Sequence, residues 1–190
     1  MKKVFIIHRW DGNPESDWYS WLQKELTKRG FQVFVPEMPE TETPKMEKWV
    51  PHISKLVKPN QDTYFVGHSI GCQTILRYLE TLKENTKIGG AVLVAGFLKT
   101  KPLETKEEVE IVTPWLQTPI NFEKVRRACK FTAIFSDDDP YVPLENAQLF
   151  KKKLGAKKII EKSKGHFTEV DGVKELPVVL KELLKMINRL

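Results

Sequence analysis

Gly67-His68-Ser69-Ile70-Gly71 places a serine between glycines two positions to either side. The apolar run Tyr64-Phe65-Val66 precedes it, and Ile75, Leu76 and Leu79 follow at helical spacing, so the serine sits at a strand-to-helix turn. In so tight a turn the central residue is held in a strained backbone conformation, and side chains two positions away would strike the neighbouring strand and helix. Glycine at 67 and 71 removes both collisions. Ser69 is therefore expected to project its hydroxyl over the C-terminal edge of a sheet, above a helix N-terminus that favours a developing anion. The Ile70 N–H then becomes one donor of an oxyanion hole.

A serine hydroxyl is a weak nucleophile near neutral pH, so this reading requires a base and an orienting carboxylate, in the chain order serine, acid, histidine. Asp139 opens Asp139-Pro140-Tyr141-Val142-Pro143 after the apolar run 131–135, in a segment stiffened by two prolines. Asp137 and Asp138 adjoin it, and an acidic run in a turn is by default a solvated or capping feature. His166, in Lys164-Gly165-His166-Phe167, follows the last apolar run, and Gly165 frees the backbone to bend the ring toward the strand ends. His8 ends the first strand, His52 falls in a helix and His68 lies inside the turn, and all three read as structural.

The second oxyanion donor is expected from the loop His8-Arg9-Trp10-Asp11-Gly12-Asn13, at the backbone of Trp10 or Arg9, with Trp10 taken as the candidate. Trp115 and Phe97 are the pocket candidates, since both lie in the long aperiodic stretch 96–121. Trp18 recurs with Trp21 and Leu22 at helical spacing and reads as core.

These groups converge only if strands and helices alternate. Apolar runs at 4–8, 31–35, 63–66, 88–94, 131–135 and 158–160 read as strands covered on both faces. Amphipathic segments at 18–29, 45–57, 70–83, 122–128, 144–154 and 176–190 read as crossover helices. Gly30 is placed to cap the first and Pro177 falls in the first turn of the last. Residues 96–121, with Pro102, Pro114 and Pro119, form the candidate lid. No repeat or linker interrupts the chain, so residues 1–190 are expected to form one α/β domain with a mostly parallel sheet.

A chain of 190 residues buries on the order of 70% of its unfolded surface and folds without staples. The net charge of +6 raises nucleic acid as a partner, but the lysines are scattered over helical stretches without a binding motif, so none is expected. Cys72 and Cys129 read as reduced apolar filler. The apolar stretch 4–7 behind Met1-Lys2-Lys3 is too short for a signal-peptide core or a membrane span, so cytoplasmic residence without membrane contact is expected. The acidic run 137–139 lacks the spaced ligands and glycine of a calcium loop, and no metal or cofactor is implied.

Taken together, these motifs resemble the retinoblastoma-binding protein 9 or YdeN-like family of small serine hydrolases, within the α/β-hydrolase superfamily. The resemblance is carried by Asp17-Trp18-Tyr19-Ser20-Trp21-Leu22, Met38-Pro39, Gly67-His68-Ser69-Ile70-Gly71, Arg77-Tyr78-Leu79-Glu80, Asp138-Asp139-Pro140-Tyr141-Val142-Pro143 and Gly165-His166-Phe167, nearly end to end. It implies a three-layer fold with six strands in the order 2-1-3-4-5-6 and a minimal lid, and a catalytic triad of Ser69, Asp139 and His166. Arg9 follows His8 where most larger hydrolases have His-Gly, and the Leu-x-Cys-x-Glu retinoblastoma-binding motif is missing, so that partner is not implied. The expected reaction is hydrolysis of small esters or amides through an acyl-enzyme. The alternative is the same scaffold acting as a binding module without catalysis.

Overall fold

The structure, a computed structural model, describes residues 1–188. Along the chain run β1 (Lys3–Ile7), α1 (Tyr19–Thr27), β2 (Gln32–Phe34), α2 (Met46–Leu56), β3 (Thr63–His68), α3 (Ile70–Thr81) and β4 (Gly90–Val94), then α4 (Lys106–Gln117), α5 (Phe122–Ala128), β5 (Phe131–Ser136), α6 (Glu145–Leu154), β6 (Lys157–Glu161) and α7 (Pro177–Ile187). The six strands form one sheet in the order β2-β1-β3-β4-β5-β6, every neighbouring pair parallel. That is the expected order, with no antiparallel member.

The alternation of side chains along each strand sorts the core into two halves. Phe5, Ile7, Phe65, Ala91, Leu93, Phe131, Ala133 and Phe135 face one way, against Trp49 and Ile53 of α2, Ile75 and Leu79 of α3, Val125 of α5 and Phe150 of α6. Val4, Ile6, Tyr64, Val66, Val92, Val94 and Ile134 face the other, against Trp18, Leu22 and Leu26 and against Val179, Leu183 and Ile187 of α7. Strands covered on both faces must be apolar at every position, and β3, β4 and β5 are buried throughout. At the outer edge β6 exposes its lysines, which blunts that edge against pairing with another chain.

Register brings the strand ends level. Ile7 lies opposite Gly67, His68 opposite Val94, and Ser136 opposite Glu161. The loops after β1, β3, β5 and β6 therefore leave one rim, where β1 and β3 lead away on opposite sides of the strand order. Open parallel sheets bind ligands at such a reversal.

Two expectations about elements need correction. Residues 96–121 are not simply an aperiodic lid, because α4 occupies twelve of them. It is started by a capping box in which Thr105 Oγ1 accepts the Glu108 N–H while Glu108 accepts the Thr105 N–H. Pro114 inside the helix hid its periodicity. Its C-terminal carbonyls are satisfied from α3, where Arg77 Nη2 donates to Trp115 O at 2.6 Å and Thr118 O at 2.9 Å. The amphipathic pattern extends the last helix to residue 190, whereas α7 ends at Ile187; residues 189–190 lie outside the described residues. Cys72 is buried and Cys129 half-buried, and both are free thiols. Among the described residues no helix is long and apolar enough to cross a membrane.

Candidate active site

Ser69 occupies the turn between β3 and α3 with φ 53° and ψ −116°, a conformation that a residue with a side chain adopts only when its surroundings enforce it. The enforcement is visible on both sides. The Ser69 N–H donates to Val94 O and the Ser69 carbonyl accepts the Cys72 N–H, each at 2.9 Å. A Cβ on Gly71 would overlap the Ile7 carbonyl and come within 2.7 Å of His8 O, so α3 can lie this close to β1 only with glycine there. Ile70 begins α3, where a first-turn N–H has no intrahelical acceptor and points toward the rim.

Asp139 and His166 meet on the far side of that rim. Asp139 Oδ2 lies 2.8 Å from His166 Nδ1, with both residues largely buried. The other carboxylate oxygen accepts the N–H groups of Tyr141 and Val142 at 2.8 and 2.9 Å, so the carboxylate is held at both ends. Asp137 and Asp138 do not reach the imidazole. They bind the backbone of Ser163 and Gly165 instead, fastening the loop that carries His166.

That loop is held from several directions. Asp171 Oδ2 accepts the His166 and Thr168 N–H groups at 2.9 and 3.0 Å. Gly165 has φ +49°, and a Cβ there would overlap the Asp171 carboxylate, which is why this position is glycine. The Trp18 indole donates to Phe167 O at 3.1 Å, and Asp17 Oδ1 accepts the Glu169 N–H at 2.8 Å. The Tyr141 and His166 rings meet edge to face at 5.1 Å between centroids, with Tyr141 itself exposed.

Ser69, Ile70, Trp10 and His166 line one cavity of about 780 Å³, together with Phe97, Leu103, Val112 and Tyr141. Its size is ordinary for a small-molecule site. Of the two candidates for a second oxyanion donor, the Arg9 N–H is already given to the Tyr19 hydroxyl at 3.2 Å. The Trp10 N–H has no acceptor among the described residues, and its indole, bonded to Glu42 O at 2.8 Å, fixes the residue at the cavity wall.

Trp115 is not at the pocket. It is 1% exposed and packs edge-on against Trp49 at 6.4 Å, with its indole N–H given to Pro44 O at 3.0 Å. The helix that the aperiodic reading missed turns this ring into the core, whereas Val112, one turn earlier, reaches the cavity. Phe97 does line it. His8 is structural: Nδ1 donates to Arg9 O at 2.8 Å, Nε2 accepts the Met38 N–H at 3.2 Å, and burial lowers its pKa. Sequence reading passed over Asp171 and Tyr19; only the Asp17-Trp18-Tyr19 motif hinted at the second.

A family model described as serine hydrolase matches residues 4–185. The chain belongs to the serine hydrolase family. This hydrolase is 30% identical to YdeN of Bacillus subtilis (strain 168) over 190 residues, covering 99% of this chain and 97% of that protein. It is 28% identical to serine hydrolase RBBP9 of Rattus norvegicus over 169 residues, covering 88% and 86% respectively. The crystal structure of the B. subtilis ydeN gene product matches with a TM-score of 0.91 at 30% identity, over 99% of this chain and 100% of that one. Est1E from Butyrivibrio proteoclasticus, solved with ferulic acid bound, matches at 0.72 with 16% identity over 99% and 90%, a likeness of fold alone. The hydrolase thus has the α/β-hydrolase fold its motifs resembled.

Proposed function

We propose that this hydrolase cleaves small carboxylic esters or amides through an acyl-enzyme on Ser69, with His166 as base and Asp139 as the carboxylate that orients it. The observation that carries the reading is the 2.8 Å contact between Asp139 Oδ2 and His166 Nδ1 at a cavity that Ser69 also lines. With Nδ1–H given to Asp139, Nε2 is the free lone pair and therefore the proton acceptor.

In the first step Nε2 takes the proton from Ser69 Oγ as Oγ bonds to the substrate carbonyl carbon. The carbonyl oxygen becomes an anion that the N–H groups of Ile70 and Trp10 receive, aided by the α3 dipole. The imidazolium returns its proton to the departing alkoxide or amine, leaving an acyl ester on Ser69. Water then gives a proton to Nε2 and attacks the acyl carbon, and as the second tetrahedral adduct collapses the imidazolium returns that proton to the departing Ser69 Oγ and the acid is released. No cofactor enters this chemistry. Phe97, Leu103 and Val112 offer the apolar wall for the acyl group.

Turnover of short p-nitrophenyl esters and aminoacyl p-nitroanilides tests the reading. The expected result is hydrolysis of at least one series by wild type, reduced by several orders of magnitude in Ser69→Ala and His166→Ala. A folded wild type inert toward both series would favour a binding module; equal turnover in Ser69→Ala would remove Ser69 from the mechanism.

A further inference from the structure

His68 is fully buried beside Ser69 and takes no part in the proton path described above. Both of its ring nitrogens have partners. Nε2 lies 2.7 Å from the carbonyl oxygen of His166, an atom that only accepts, so Nε2 carries the hydrogen. In a neutral ring Nδ1 is then the acceptor, and the Tyr19 hydroxyl donates to it from 2.6 Å. The Tyr19 oxygen in turn accepts the Arg9 N–H at 3.2 Å. In that neutral form a chain of hydrogen bonds with one direction joins the loop after β1, the start of α1, the end of β3 and the loop after β6.

We propose that Tyr19 and His68 are positioning residues for the base: they hold the His166 backbone so that its ring stays against Asp139, and they fix the Arg9 peptide beside the Trp10 N–H. The proposal rests on the triad reading. Three other holds act on His166: Asp139 on the ring, Asp171 on its N–H, and Lys164 O, which accepts the Phe167 N–H at 2.8 Å from the far end of the same peptide. Among the described residues His68 alone bonds its carbonyl. Released there, the peptide is held at its N–H end alone and can tilt about that bond, carrying the ring with it.

The device requires a neutral His68. Burial, with His166 nearby as the second cause, holds its pKa well below the usual histidine range. The two rings are 5.3 Å apart between centroids, so a charged His68 would oppose the imidazolium that His166 becomes in turnover. The other charged groups facing it are Asp17, 3.8 Å from Nδ1 and paired with Arg9, and Asp171.

Tyr19→Phe deletes the hydroxyl and keeps the ring. The expected result is a fall in kcat of about ten- to hundredfold on a p-nitrophenyl ester, with KM within about twofold. The acidic limb of the kcat/KM profile should move to lower pH, because a looser Asp139 contact stabilises the imidazolium less. A merely structural role would lower the melting temperature without moving that limb. Independently of any variant, ¹⁵N spectra of histidine-labelled wild type should show His68 as the neutral Nε2–H tautomer from about pH 6 to pH 8. Unchanged kcat and pH profile in a folded Tyr19→Phe, or a His68 that titrates or carries its proton on Nδ1, overturns the proposal. A wild type without turnover overturns the triad reading itself, which is a different result.

Discussion

The Asp138 carboxylate accepts the Gly165 N–H at 2.8 Å, which ties the residue before the proposed acid to the residue before the proposed base. The same oxygen accepts the Ser136 hydroxyl at 2.6 Å, and Ser136 Oγ accepts the Lys164 N–H at 2.9 Å. The Ser136 bond, with Gly165 second, holds the Asp138 carboxyl below the usual carboxylate range. The neighbours of Asp139 in the acidic run therefore act as brackets between two loops.

Substitution along the run should follow that division. Asp139→Ala is expected to lower kcat about 10⁴-fold on a p-nitrophenyl ester, by analogy with serine-protease triads. Asp138→Ala should cost about tenfold through a loosened base loop, and Asp137→Ala less. Steady-state kinetics of the three variants check the order, and a larger loss in Asp138→Ala than in Asp139→Ala would reverse the assignment.

Gly71→Ala places a methyl group against the backbone oxygens of Ile7 and His8, at the end of β1, that no side-chain motion can clear. We expect a stability loss of about 1–3 kcal/mol and a fall in turnover beyond it, because the displaced β1 end carries the Trp10 loop. Urea unfolding alongside ester hydrolysis would show both effects, and a variant with wild-type values would contradict the close packing.

Trp115→Ala should lower stability by about 3–5 kcal/mol while KM for short esters stays put, since the ring fills core rather than cavity. Phe97→Ala, at the cavity wall, should change relative kcat/KM between acetyl and longer acyl esters. The pair is checked by chain-length profiles beside denaturant melts.

Acid should destabilise the protein before its carboxylates titrate. His8 and His68 have pKa values lowered by burial, His68 the more strongly. Below the unfolded value near 6.5 the unfolded chain binds protons that the folded chain refuses, so stability falls as pH falls and is unaffected above. The slope is at most about 1.4 kcal/mol per pH unit for each histidine. Urea melts from pH 7.5 down to pH 5 should show this decline, and His68→Asn should flatten it.

The sheet and its helices were legible because burial on two faces forces apolar runs, and the serine turn because its constraint is steric and local. Strand order came from resemblance, not from pattern. The helix containing Trp115 was hidden by Pro114, although Thr105 and Glu108 at capping-box spacing announce its start. That start places Trp115 inside a helix, where it packs on Trp49 of α2. The work of Tyr19 and His68 left no local trace, since their partners lie 49 and 98 positions away. The choice between Arg9 and Trp10 turns on a nearer contact, the Tyr19 hydroxyl ten positions on taking the Arg9 N–H, which depends on how the loop folds back onto α1.

The most direct test of Ser69 as a nucleophile activated by His166 is mass spectrometry of the folded protein after treatment with a fluorophosphonate. One adduct per chain is expected, mapped to Ser69, absent in Ser69→Ala and formed far more slowly in His166→Ala. A folded wild type that remains unmodified, or one that carries the adduct on a different residue, would contradict the account.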